Sequence, residues 1–158
     1  MGIDVVSNMT IEEYEQFCEE QGKRNEGLLA DFEGDLKAKG FTRKTIENHI
    51  FNADLYLNDY LVRSEGKTAE EGVNEIGLFM SYFFIHKCMW STPSTIKSTA
   101  ASIKKFYKSM VNHNHLSEEA YKSLCEEIKE ELPDWQKECE AYNNGEDLLD
   151  LWDEDDFD

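Results

Sequence analysis

Proline and glycine are scarce in this chain, whose 158 residues include two prolines and nine glycines. Those two residue types punctuate the turns of β-rich folds, so their scarcity favours long helices. Apolar runs are short as well, and none approaches the roughly 18–20 residues that a membrane span needs. The longest, residues 76–85, is interrupted by Gly77 and Ser81 and is interpreted as a buried helix. The sequence therefore predicts an all-α protein with no membrane segment.

Paired cysteines and leader-like segments are also missing. The four cysteines are scattered, without a C-x-x-C pair, which is typical of reduced thiols rather than of a disulfide framework. The opening MGIDVVSNMT lacks the basic start and the apolar stretch of a signal peptide. Both features favour a cytoplasmic protein.

Motifs for catalysis and for cofactors do not occur in the sequence. It contains no G-x-x-x-x-G-K-[ST] phosphate loop and no G-x-S-x-G nucleophile elbow. The glutamate pairs, such as Glu12 and Glu13, fall at helix starts, where they stabilise the helix dipole. His113 and His115 lack the second paired motif that a four-ligand zinc site needs. We therefore expect no enzyme activity, no cofactor and no metal site.

Positive charge is scarce and unevenly placed. The chain holds 34 acidic and 16 basic residues, for a formal net charge of −18. Ten of the acids and no base follow residue 137, whereas residues 76–117 hold five lysines and no acid. The mean charge opposes general affinity for polyanions, but a locally basic face still attracts them. The distribution indicates one basic segment inside an acidic chain.

Capping residues and a period close to 3.6 locate the expected helices. A capping box at residues 10–13 begins a short helix that is predicted to stop near Gly22. A second helix covers residues 26–39, with Gly40 as its stop. Thr42 caps a longer helix, and a second capping box at residues 68–71 begins the next one.

Two prolines define the remaining helices. Pro93 suits the first turn of a helix over residues 94–111, and Trp90 before it is interpreted as a core residue. A further helix begins after Ser117 and is predicted to end near residue 132, before Pro133. A separate helical piece follows over residues 134–142.

The helix over residues 94–111 separates its apolar and basic faces. At about 100° per residue, the core face is formed by Ile96, Ala100, Ile103, Tyr107 and neighbours. Lysines occupy a stripe roughly 90° away. Hydroxyl side chains lie at the N-terminal end, where unpaired N–H groups and the helix dipole favour an anion. A solvated lysine face is the simplest interpretation, and a phosphate-binding surface is the functional alternative.

A second basic cluster surrounds the start of the helix capped by Thr42. It consists of Lys37, Lys39, Arg43 and Lys44. If the N-termini of the two basic helices lie side by side, they form a phosphate-binding surface.

Four segments together resemble the N-terminal SAM-like, or core-binding, domain of phage integrases and other tyrosine recombinases. They are LADFEGDLKAKG at residues 29–40, FTRKTIENH at 41–49, IGLFMSYFF at 76–84 and STIKSTAASIKKFYK at 94–108. The resemblance implies a SAM-like bundle of four to five helices over residues 26–116. Residues 1–25 would add an N-terminal helical extension, residues 117–143 C-terminal helices packed on the bundle, and residues 144–158 an acidic tail.

The resemblance also implies a function. In the family this domain embraces double-stranded DNA, while a separate domain carries out catalysis, so we expect a non-catalytic DNA-binding module with a role in recombination or integration. Helices matching the second and fourth segments cross the major groove. The DNA-contacting residues that it implies are Thr42, Arg43, Lys44, Thr45, Ser94, Thr95, Lys97, Ser98, Lys104, Lys105 and Lys108.

The acidic tail has three interpretations. It is a disordered solubilising segment, an interaction peptide, or a segment that folds back on the lysine face and competes with DNA. As an interaction peptide it would bind a protein partner through Leu148, Leu151, Trp152 and Phe157. The alternative function is therefore a protein-interaction module that uses this tail or the bundle surface.

Overall fold

The computed structural model describes residues 8–145, which are mainly helical and contain no strand. The all-α prediction is confirmed for this part of the chain. Five helices are present there: α1 (Ile11–Ala38); α2 (Arg43–Asp54, extended by the π-helical Leu55–Ser64); α3 (Ile76–Leu78, π-helical Phe79–Phe83 and Phe84–Lys87); α4 (Pro93–Asn112); and α5 (Glu118–Asn143).

The helix starts predicted at Thr10, Thr42 and Pro93 are present in the structure. At α1 the Thr10 hydroxyl accepts from the Glu13 amide at 3.0 Å, and the Glu13 carboxylate accepts from the Thr10 amide at 2.9 Å. Thr42 caps α2, and Pro93 occupies the first turn of α4. Gly40 follows α1 with a φ of 85°, a left-handed conformation that glycine adopts without strain.

The prediction that the first helix stops near Gly22 is wrong, because α1 continues for 28 residues. A glycine inside a helix costs only about 1 kcal/mol relative to alanine. Burial of Leu28, Phe32 and Leu36 on one face outweighs that cost. At the middle of α1, Arg24 forms an ion pair with Glu70, which ties the helix to the loop after α2.

The predicted break at Pro133 is also wrong. Helix α5 includes this proline and runs unbroken for 26 residues. Its buried residues lie on both sides of the proline, Leu124 and Ile128 before it and Trp135 and Cys139 after it. Packing along the whole face therefore stabilises the helix across Pro133, although this proline removes one backbone hydrogen bond.

The second capping box begins a shorter element than predicted. Thr68 and Glu71 exchange the expected hydrogen bonds, but a single 3-10 turn follows at Glu71–Asn74, and α3 starts only at Ile76. Two buried tyrosines hold this turn against the core. Tyr56 donates its hydroxyl to the Gly72 carbonyl and Tyr107 to the Ala69 carbonyl, both at 2.6 Å.

Helix α4 lies between α2 and α5 and runs antiparallel to both. Phe41, just before α2, lies against Lys105 late in α4, whereas Phe51 of α2 lies against Trp90 before α4. On the other side, the Gln136 amide of α5 donates to the Pro93 carbonyl at the start of α4. Among residues 8–145, no helix is both long and apolar enough to cross a membrane.

Candidate nucleic-acid interface

A groove of about 380 Å³ separates α2 from α4. The segment before α4 closes one of its ends with Trp90. No carboxylate lines the groove, although the chain carries 34 acids. Its walls are formed by Thr45, Asn48, His49, Phe51 and Asn52 from α2, and by Trp90, Thr95, Ser98, Thr99 and Ser102 from α4 and the residues before it.

Ser102 joins the two walls at the floor of the groove. Ser102 is buried, with 1% of the residue exposed. The Ser102 hydroxyl oxygen lies 2.7 Å from His49 Nδ1 and accepts from the Asn52 amide at 3.0 Å. Burial, with a smaller contribution from the nearby Lys105 ammonium, lowers the pKa of His49 below its usual value. The imidazole is therefore neutral at pH 7 and contributes hydrogen-bonding groups rather than charge.

Three of the hydroxyls predicted to contact DNA line this groove, namely those of Thr45, Thr95 and Ser98. Thr95 is also a capping residue, since its hydroxyl oxygen accepts from the Thr92 amide at 2.7 Å. Ser98 donates to the Thr95 carbonyl at 3.2 Å, and its side chain is exposed. The structure therefore brings predicted residues from two separate segments to one surface.

The helix N-termini do not lie side by side. Because α2 and α4 are antiparallel, the cap of α2 at Thr42 lies at the Lys105 end of the groove. The cap of α4 at Thr92 lies at the Trp90 end. The condition for a single paired N-terminal site is therefore not met, and the two helix ends lie towards opposite ends of one groove.

Arg43 points away from the groove. Its guanidinium bonds Glu33 of α1 at 3.1 Å and Glu47 at 3.2 Å. Glu33 also pairs with Lys37 at 3.1 Å, and hydrogen bonds from Lys37 and then from Arg43 hold the pKa of this carboxyl below its usual value. A DNA contact by Arg43 requires these exposed pairs to break, which costs little in water.

The lysines of α4 divide into two groups. Lys97 and Lys104 are exposed, and within residues 8–145 neither has a carboxylate within 4.0 Å. Lys105 lies over the Phe41 ring at 5.4 Å, at the end of the groove. Lys108 faces α5, with its ammonium 3.8 Å from the Glu118 carboxylate and 5.3 Å from the Tyr121 ring centre. Of the remaining predicted contacts, Ser94 and Lys44 are exposed.

Sequence reasoning missed the α2 wall of the groove. Asn48, His49 and Asn52 were not among the predicted contacts, yet all three line it. A signal was present, because Thr45, His49 and Asn52 follow one another at spacings of four and three residues. Such spacing gives a polar stripe on a helix whose opposite side carries buried Ile46 and Ala53.

An exposed aromatic patch adjoins the Trp90 end of the groove. The prediction that Trp90 is a core residue is wrong, since 46% of it is exposed. Its ring packs against Phe51 at a centroid distance of 5.9 Å, and Met89 beside it is fully exposed. Tyr82 and Tyr142 are exposed on either side of His86. Apolar side chains grouped in this way commonly mark a contact surface.

The histidines have local partners. His113 lies 3.2 Å from both carboxylate oxygens of Asp35, and His86 stacks on Tyr82. Across residues 8–145, no group of three or more His, Cys, Asp or Glu side chains is arranged to hold a metal ion. The predicted partner-binding residues of the tail, Leu148, Leu151, Trp152 and Phe157, lie outside the described residues.

No family model, curated protein or solved structure matches this chain.

Proposed function

We propose that this protein is a non-catalytic, cytoplasmic DNA-binding module that contacts duplex DNA along the α2–α4 groove. In its bundle and its contacts it would resemble the core-binding domain of integrases. The observation that carries the proposal is the groove itself. It is lined mainly by hydroxyl, amide and imidazole side chains and by no carboxylate, in a chain of net charge −18, and the Lys105 ammonium lies near His49 at one end.

The chemistry of the groove suits a phosphate backbone. Ammonium groups such as those of Lys97, Lys104 and Lys105 release counterions when they neutralise phosphates. Hydroxyl and amide groups donate hydrogen bonds to phosphate oxygens, and those contacts fix the register of a protein on the duplex. Asn48 and Asn52 are the groove residues with the bidentate amides that read adenine edges.

Duplex binding measured against salt concentration tests the proposal. The test variant replaces Lys97, Lys104 and Lys105 with alanine. The control replaces Lys122, Lys129 and Lys137, three exposed lysines of α5, with alanine, so both variants lose the same charge. The affinity of each variant for a labelled duplex is measured by fluorescence anisotropy at salt concentrations from about 50 to about 200 mM.

The groove variant should bind more weakly, and its plot of log affinity against log salt should be shallower by about 2.7, or about 0.9 for each lost phosphate contact. The control should retain the slope of the unaltered chain. If the unaltered chain does not bind at low salt, or if both variants lose the same slope, the proposal is wrong.

A protein-interaction function is the second candidate, and the exposed aromatic patch favours it. Phe51, Met89 and Trp90 offer an apolar surface next to the groove, and aromatic residues and methionine are enriched where proteins bind one another. The acidic tail would add contacts through its leucine and aromatic residues. Replacing Met89 and Tyr82, exposed residues of the patch that do not line the groove, with serine separates the two candidates, because it would weaken partner binding while leaving the salt slope of duplex binding unchanged.

A further inference from the structure

A separate cavity of about 120 Å³ lies at the end of the bundle where α1 and α4 finish and α2 and α5 begin. Phe41, between α1 and α2, forms part of its wall, and Phe32 and Leu36 supply apolar contacts from α1. The polar lining comes from Asp35, Lys39, Lys104, Lys105, Lys108, Ser109, Asn112 and Tyr121. None of the ten residues that line the α2–α4 groove lines this cavity, although Lys104, Lys105 and Lys108 are also among the predicted DNA contacts.

The cavity concentrates positive charge. Four of its lining residues are lysines, of which Lys39 comes from the end of α1 and the other three from α4. The single carboxylate, that of Asp35, already accepts from the Ser109 hydroxyl at 2.7 Å and lies 3.2 Å from His113 Nε2. An acidic chain therefore gathers a quarter of its 16 bases around one small cavity.

Aromatic rings position two of the ammonium groups. Lys105 lies 5.4 Å from the centre of the Phe41 ring, and Lys108 lies 5.3 Å from the centre of the Tyr121 ring. Cation–π contacts of this kind hold a lysine in place without neutralising it. Burial and a hydrogen bond with Cys125 raise the pKa of Tyr121 to about 12, so its hydroxyl remains a donor at neutral pH. Lys105 is thus held beside the cavity with no carboxylate within 4.0 Å among the described residues, whereas Lys108 must give up its partly exposed pair with Glu118, at 3.8 Å, to bind an anion.

The volume limits the size of the ligand. A cavity of roughly 150 Å³ accommodates benzene, which has six heavy atoms. A phosphate group, with five heavy atoms, is therefore the right size for about 120 Å³, and a nucleoside is too large to enter. Lysine side chains from two elements around one small cavity match a compact oxyanion with charge on all its oxygens.

We infer that this cavity is a binding site for the phosphate group of a small ligand, either inorganic phosphate or a phosphate monoester whose ester oxygen faces solvent. Phe41 and Tyr121 hold Lys105 and Lys108 on the walls, and Lys39 completes the charge from α1. The inference goes beyond the proposed function. Because it shares Lys104, Lys105 and Lys108 with the predicted DNA contacts, it is tested without DNA.

Titration of the full chain with inorganic phosphate, without DNA, tests the inference. Backbone amide spectra are recorded in phosphate and in chloride of equal ionic strength. Saturable shifts should concentrate at residues 35–41 and 104–112. Lys105→Ala and Lys39→Ala, which alter different elements, should each raise the phosphate dissociation constant at least about tenfold, as expected for one charged hydrogen bond. Lys129→Ala, an exposed lysine of α5 outside the cavity, should leave it unchanged.

The spectra also report whether each variant is folded, because amides far from the cavity keep their positions in a folded variant. Methyl phosphate should bind with similar affinity if the ester oxygen faces solvent. Shifts that grow linearly without saturation would overturn the inference. So would saturable binding that Lys129→Ala weakens as much as Lys105→Ala does.

Discussion

Removing the hydroxyl of Ser102 should loosen the contact between the two walls of the groove. The buried Ser102 hydroxyl lies 2.7 Å from His49 Nδ1 and accepts from the Asn52 amide at 3.0 Å. It donates to the Ser98 carbonyl at 3.1 Å. Ser102→Ala leaves two half-buried polar groups without a partner. Each such group costs about 1–3 kcal/mol when fully buried, and less here because water reaches both side chains.

The net loss in the free energy of unfolding of Ser102→Ala combines two contributions. Two half-buried orphaned groups together cost about 2 kcal/mol, and alanine recovers about 0.5 kcal/mol through its better helix propensity. The variant should therefore lose about 1.5 kcal/mol, which lowers the melting temperature by about 3–6 °C for a chain of this length. Thermal unfolding followed by circular dichroism measures the change.

Ser98→Ala is the matched control for this measurement. It lies one turn away on the same helix, its side chain is exposed, and its hydroxyl donates only to the Thr95 carbonyl at 3.2 Å. Its free energy of unfolding should stay within about 0.5 kcal/mol of the unaltered chain. If Ser102→Ala is no more destabilising than Ser98→Ala, the two walls are not held together in the way described here.

Three further substitutions have expected outcomes. Gly72→Ala should cost about 1–3 kcal/mol in chemical denaturation, because a Cβ there overlaps the buried side chain of Leu61. Glu127→Gln should stabilise the chain at pH 7 by less than about 1 kcal/mol, because burial and neighbouring glutamates raise the pKa of this half-exposed carboxyl. Glu33→Gln should remove one of the two carboxylates that pair with the Arg43 guanidinium and make the salt dependence of duplex binding steeper by up to about 1.

The size of the Glu127 effect depends on pH. Its folded pKa lies above the unfolded value, so ionisation at neutral pH opposes folding, and the penalty disappears as pH falls through the raised pKa towards 4.5. The advantage of Glu127→Gln should shrink over that range, and an advantage that grows on acidification would contradict the assignment. An unchanged denaturation midpoint for Gly72→Ala would contradict the predicted overlap with Leu61. An unchanged salt slope for Glu33→Gln would contradict the predicted effect on Arg43.

Helix starts were predictable from the sequence because they depend on local chemistry. The caps at Thr10, Thr42 and Ser117 bond amides three residues away, so spacing alone reveals them. Helix ends were less predictable. Gly22 and Pro133 weaken a helix locally, but burial of distant residues against other helices decides whether it continues.

The lysine stripe of α4 was also visible in the sequence, whereas the groove between α2 and α4 was not. A helical wheel places Lys97 and Lys104 on one face, but it carries no information about the neighbouring helix or its direction. The antiparallel packing of α2 separates the two helix N-termini, brings His49 to Ser102 and turns Arg43 towards Glu33. Each of these results depends on contacts between residues far apart in sequence.

Mapping a short duplex onto the amide spectrum of the full chain tests the central claim most directly. If duplex DNA lies along the α2–α4 groove, the largest shifts should fall at residues 42–52 and 94–105, while the exposed face of α5 stays unchanged. They should weaken as salt rises. Shifts confined to the patch of Phe51, Met89 and Trp90, or spread evenly over the chain, would contradict the account.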